Sequence, residues 1–162
     1  MENKAVSNTG PILHLTELNS IQILKMFSDV FIPAEVFKEL SKFSIPVPNF
    51  ITIKKLNKSS KDMVKILTNK FNLDFGEAHA ISLMLQEKTD YFLTDDLDAR
   101  MAANSLNLEV HGTVGVILRA FKNKMLSKQE AIEIVNRLQQ SSSLFITQDL
   151  INDIIKSINS YK

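Results

Sequence analysis

The stretch 74-DFGEAHAISLMLQEKTDYFLTDDLDAR-100 decides how the chain is read. Gly76-Glu77 opens a helix with an apolar run from Ala78 through Leu85. After a short turn, Tyr91-Phe92-Leu93 reads as an apolar strand that stops at Thr94-Asp95-Asp96, and a second helix begins near Leu97. Acidic residues therefore stand at two element ends, one helix and one strand apart. In open α/β sheets the crevice at the carboxyl ends of the strands is where ligands bind.

Working outward, the pattern repeats. Lys4 to Ser7 reads as a first strand, ended by Asn8-Thr9-Gly10-Pro11, with Asn8 or Thr9 capping a short helix from Pro11 to Leu18. Ile21 to Phe27 reads as a second short helix, Asp29 to Ile32 as a strand stopped by Pro33, and Pro33 to Phe43 as an amphipathic helix. Ile51 to Ile53 is a candidate strand, and Ser59 or Ser60 a candidate cap for the helix that follows. Beyond the central stretch come a strand at Leu108 to Val110, then helices from Val114 to Phe121 and Ser127 to Leu138. A possible last strand at Leu144 to Ile146 and a terminal helix from Gln148 to Ile158 complete the chain. Short strands alternating with helices predict a parallel sheet covered by helices, with the strand carboxyl ends on one edge.

The 162 residues suit one domain, 1–162. The sequence is 44% hydrophobic and 23% charged, with a net charge of +1, so any nucleic-acid contact must come from a local patch rather than from the overall field. There is no cysteine, which excludes a disulfide frame and a thiolate zinc site. No run approaches the roughly 18 apolar residues of a membrane span, so the expectation is a cytoplasmic protein without a membrane partner.

Groups able to carry chemistry sit at the element ends: Asn8, Glu39, Glu77, Asp95 and Asp96, with Asp98 close by. Clustered carboxylates raise one another's pKa unless a cation screens them, and hard divalent cations take oxygen ligands. Structural readings compete. Glu77 complements a helix dipole, Asp95 or Asp96 caps the next helix, Glu39 is a solvated helix acid, and Arg100 pairs with Asp96 four residues earlier. His14, His79 and His111 are scattered singly, and no glycine-rich phosphate loop or GxSxG turn is present. Arg100, Arg119, Lys122 and Lys124 are the basic candidates for phosphate contact.

VSNTGPIL at Val6–Leu13, VFIPAEVFKEL at Val30–Leu40, GEAHAI at Gly76–Ile81, LTDDLDAR at Leu93–Arg100 and GTVGVILRA at Gly112–Ala120 follow one another in a set order. Together they resemble the PIN-like family DUF3368, related to the VapC toxins of toxin–antitoxin pairs. The resemblance implies an α/β/α sandwich with a mainly parallel sheet of about four or five strands. It also implies a Mg²⁺- or Mn²⁺-dependent ribonuclease. On that reading Glu39, Glu77 and Asp96 are acidic ligands, Asn8 a neutral one, Asp95 an auxiliary acid, and Thr94 and Asp98 supporting groups. Asn8 stands where such nucleases usually carry Asp, which removes one negative charge. A weakened module that binds RNA or a protein partner without cleavage is the alternative. The resemblance further implies a homodimer held inactive by a small antitoxin. The apolar residues from Ile12 to Phe27 are the candidate dimer surface, and core burial explains them equally well.

Overall fold

In the computed structural model, which describes residues 3–162, five strands form one parallel sheet. They are β1 (Lys4–Ser7), β2 (Asp29–Pro33), β3 (Ile51–Lys54), β4 (Tyr91–Leu93) and β5 (Glu109–His111). The order is β3-β2-β1-β4-β5, with Val6 opposite Phe31 on one side and Phe92 on the other. Being central, β1 and β4 are covered on both faces, and Ala5, Val6, Phe92 and Leu93 are fully buried.

Eight α-helices follow the strands: α1 (Thr9–Glu17), α2 (Ala34–Lys42), α3 (Lys58–Lys70), α4 (Phe75–Glu87), α5 (Leu97–Ser105), α6 (Thr113–Lys122), α7 (Lys128–Ser141) and α8 (Gln148–Ser160). One layer holds α3, α4 and α5; the other holds α1, α6, α7 and α8, and α2 packs on both α1 and α4. This is an α/β/α sandwich, the expected fold class, with the strand count at five. No helix among the described residues is long and apolar enough to cross a membrane.

Several local expectations are corrected. Ile21–Met26 is a 3₁₀ segment rather than an α-helix. Asn57, not Ser59 or Ser60, caps α3, its side chain accepting from the Ser60 amide. Leu144 to Ile146 is not a strand but lies in the connection between α7 and α8, outside the sheet whose edges are β3 and β5. For the apolar residues between Ile12 and Phe27 the core reading holds: Ile12, Leu15, Leu18 and Leu24 are fully buried, and Phe27 is nearly so.

Five helices end at a residue in the left-handed region, and each is an ordinary L-residue: Asn19, Ser44, Lys88, Asn107 and Lys124. The four glycines do other work. Gly10, Gly76, Gly112 and Gly115 all have negative φ and stand on the first turns of α1, α4 and α6, at the carboxyl edge of the sheet.

Candidate functional site

Sheet pairing runs one step beyond the strands at this edge. The Asn8 amide donates to the Leu93 carbonyl at 2.8 Å, and the Thr94 amide to His111 at 3.0 Å. Asn8 and Thr94–Asp96 are therefore held side by side by backbone. Asn8 caps α1, its Oδ1 accepting from the Thr9 amide at 2.9 Å, while its Nδ2 donates to Thr94 Oγ1 at 3.3 Å. Asp96 caps α5, its Oδ1 accepting from the Ala99 amide at 2.8 Å. Thr94, fully buried, also accepts from the Asp96 amide at 3.1 Å, so one hydroxyl ties Asn8 to Asp96.

The helices deliver two more acids. Asp74 and Glu77 form a capping box on α4: the Asp74 carboxylate accepts from the Glu77 amide, and the Glu77 carboxylate from the Asp74 amide, each at 2.8 Å. Glu39, on α2, accepts a hydrogen bond from the Thr9 hydroxyl. Asn8, Thr9, Glu39, Asp74, Glu77 and Asp96 line one groove of about 450 Å³, which no lysine or arginine lines. Burial pushes the Glu77 carboxyl up to about 7; the Asp74 amide opposes this, and the charges of Asp74, Asp96 and Glu39 add to it. Burial also raises Glu39.

Gly76 sets where Glu39 can lie. A methyl group on Gly76 would collide with Glu39 Oε1, the movable end of a flexible side chain. Gly76→Ala is therefore expected to drive the Glu39 carboxylate off Thr9 while leaving the unfolding midpoint nearly unchanged, because alanine favours a helix over glycine by about 1 kcal/mol. A crystal structure and a melting curve of the variant check both halves; an undisturbed Glu39–Thr9 contact refutes the steric argument.

Asp95 turns to the other side of the groove. Its Oδ2 meets His14 Nδ1 at 2.7 Å and the Thr113 hydroxyl at 2.5 Å, and its Oδ1 accepts from the Thr113 amide at 2.7 Å. It thereby caps α6, whose N-cap Gly112 has no side chain to do so. Burial raises the Asp95 carboxyl, but hydrogen bonds from His14 and Thr113 outweigh that and hold it below the ordinary carboxylate range.

The remaining expected residues do not join the groove. Asp98 is exposed and accepts from Asn72 at 3.0 Å. Arg100 does not pair with Asp96; its guanidinium reaches the Thr94 carbonyl at 3.4 Å. Arg119 lies over the Tyr91 ring at 4.4 Å and donates to its hydroxyl at 2.9 Å. Because α6 runs back from the carboxyl edge, Arg119, Lys122 and Lys124 belong to the opposite edge, away from the acids. Asp74, Thr9, His14 and Thr113 were not foreseen. Asp74 had a signal, the D-x-x-E spacing of a capping box; the others had none.

The donors are hard oxygens, which suit Mg²⁺ or Mn²⁺. Their arrangement does not make a ready cage: among the described residues no three His, Cys, Asp or Glu groups gather as a metal-holding cluster. The Asn8 oxygen is already engaged by the Thr9 amide.

The model of the family DUF3368, described as a PIN domain, matches residues 4–160. The chain belongs to this family. The match takes in every strand and all eight α-helices described above. No curated protein matches the chain in sequence. For this DUF3368 chain, the acidic groove lies at the carboxyl edge of the sheet, beside the ends of β1 and β4.

Proposed function

We propose that this DUF3368 chain is a catalytically weakened PIN module that binds RNA at the carboxyl edge of its sheet without cleaving it efficiently. The state of Asn8 carries this reading. At the end of the central strand the chain offers a neutral amide, and both polar atoms of that amide are engaged, one by Thr9 and one by Thr94. Charge count is one of the variables that set divalent-cation affinity, and here it is lowered at the position nearest the sheet axis. Carboxylates alone repel phosphate, so RNA retention is expected to rise when Mg²⁺ or Mn²⁺ is added.

A second reading, a VapC-type toxin ribonuclease restrained by a small antitoxin and working as a homodimer, has its own supporting observation. Glu39, Glu77 and Asp96 each keep one carboxylate oxygen outside any hydrogen bond among the described residues. A cation would relieve the repulsion that helps to raise Glu77. In that chemistry a bound metal ion supplies Lewis acidity and an activated water. The chain's own contribution is to orient Glu77 and Asp96 through their amide contacts.

The experiment uses the purified chain with varied single-stranded RNAs, with Mn²⁺ or Mg²⁺, measuring retention and cleavage together. Wild type is expected to retain RNA and leave it intact. Asn8→Asp is expected to introduce metal-dependent cutting that the Glu77→Gln/Asp96→Asn pair of changes removes. Cutting by wild type, abolished by that pair, establishes the ribonuclease reading instead. Folded chain that neither retains nor cuts RNA refutes both.

A further inference from the structure

A second cavity, of about 370 Å³, shares a wall with the acidic groove: Asp95, Leu144 and Phe145 line both. Its floor and sides are apolar, from Val110, Val114, Ile146 and Leu150, and Arg100 and His111 add polar edges. Arg100 brings a guanidinium to this rim, where it donates to the Thr94 carbonyl at 3.4 Å. Gly112 lets the guanidinium reach there, since a side chain at 112 would stand 2.7 Å from Arg100 Nη2.

Phe145, on the shared rim, is 92% exposed, the most exposed of the large apolar side chains. Looseness does not explain that exposure, because the chain is pinned on both sides of the ring. Before it, Glu17 accepts from the Ser143 amide at 2.9 Å and hydroxyl at 2.7 Å, and the Ser142 hydroxyl bonds Leu138 at 2.6 Å. After it, Ile146 is buried, its carbonyl accepts from Gln139 at 3.4 Å, and Thr147 caps α8. The neighbours are fixed and the ring between them faces water. Leaving a large aromatic surface wet forgoes its burial energy, and a rigid mount readies it for a contact made elsewhere.

We propose that Phe145 and the cavity behind it form a nucleobase-stacking subsite, which takes one base of a single RNA strand whose backbone runs along the acidic groove. The subsite rests on the RNA-binding reading above. A flat apolar ring on a rim that also carries a guanidinium matches a base and its phosphate, and stacking of this kind tolerates any base because each has a π face. Arg100, on the same cavity wall as the ring, is placed to meet a phosphate of the strand whose base stacks on Phe145.

The test is fluorescence anisotropy with a labelled single-stranded RNA in Mg²⁺, alongside the same RNA made abasic at one position. Phe145→Ala is expected to weaken binding about tenfold, as loss of one base–aromatic stack does, with an unchanged melting temperature because the ring is exposed. Phe145→Tyr is expected to bind as wild type, as is Phe43→Ala, an exposed phenylalanine that lines neither cavity. The abasic RNA is expected to lose affinity for wild type and to lose nothing further for Phe145→Ala. A 2-aminopurine placed at that position is expected to be quenched by wild type and not by Phe145→Ala. Wild-type affinity in Phe145→Ala overturns the subsite while leaving RNA binding intact, and assigns the ring to a protein partner. No RNA binding by any variant overturns the underlying reading and the subsite with it.

Discussion

Asp95→Ala is expected to destabilise the fold by about 3 kcal/mol, the cost of leaving several buried polar groups without a partner. For a chain of this length that is a fall of about 10 °C in melting temperature. The residue looks like one acid among several in LTDDLDAR, yet it joins three elements that lie apart in the chain. His14 comes from α1, the Thr113 amide and hydroxyl from α6, and Asp95 itself from the turn after β4. Alanine leaves His14 Nδ1 and both Thr113 groups without the carboxylate. Asp95→Asn is expected to cost less, because its amide oxygen can still accept one of these bonds. Its amide hydrogens then face the remaining donors. The pH dependence has a definite sign. Asp95 titrates lower when folded than when unfolded, so its stabilisation is present above its ordinary pKa of 3.8 and is lost as pH falls below it. Urea unfolding of the two variants at neutral pH measures the costs; a change below about 1 kcal/mol in the alanine variant would refute the strut.

Glu77→Gln is expected to act the other way and stabilise the protein at about pH 8, by roughly 2 kcal/mol. The Glu77 carboxyl is raised from 4.5 to about 7 in the fold, chiefly by burial. A raised carboxyl contributes stability that is complete below the unfolded value and disappears as pH climbs through the folded one. Wild type is therefore expected to lose stability between about pH 4.5 and pH 7. Glutamine removes the charge and keeps an oxygen able to accept from the Asp74 amide, so the capping box survives in part. The shift across that window amounts to about 3 kcal/mol, and an imperfect cap takes back some of it. Melting curves across the window check this: wild type should slope downward, and the variant less steeply, with Glu39 left as the other raised carboxyl. A variant less stable than wild type at about pH 8 would mean that the carboxylate is stabilised in the fold, contrary to its burial among other acids. A stability gain paired with loss of the proposed cation-assisted RNA retention would mark Glu77 as a site where function opposes stability.

The alternation of short apolar strands with amphipathic helices was enough to predict a parallel sheet, and the sandwich follows from it. Asn8 and Asp96 were legible at their helix starts because a cap binds its own helix, within three residues. The D-x-x-E of the α4 box is equally local, and Asp74 could have been read from it. Acids could likewise be assigned to one edge, since parallel strands run the same way and share one carboxyl edge.

Other features depended on which strands became neighbours. Insertion of β1 between β2 and β4 brings Thr9 to Glu39 across 30 residues and His14 to Asp95 across 81. Glu17 meets Ser143 across 126 residues, which pins the connection after α7 and leaves Phe145 facing water, where a strand had been expected. Arg119, Lys122 and Lys124 were plausible phosphate contacts as a basic cluster, but the direction of α6 assigns them to the edge opposite the acids. The glycines show the same division. Their count was visible in the chain, but the reason for Gly76 and Gly112 was not, because it lies in the side chains of Glu39, Arg100 and Asp95 that approach them. Periodicity and capping act within a turn or two of backbone, so the sequence by itself determined the elements and their caps. Which carboxylate faces the groove and which becomes a strut depends on partners far along the chain, and only the tertiary structure decided that.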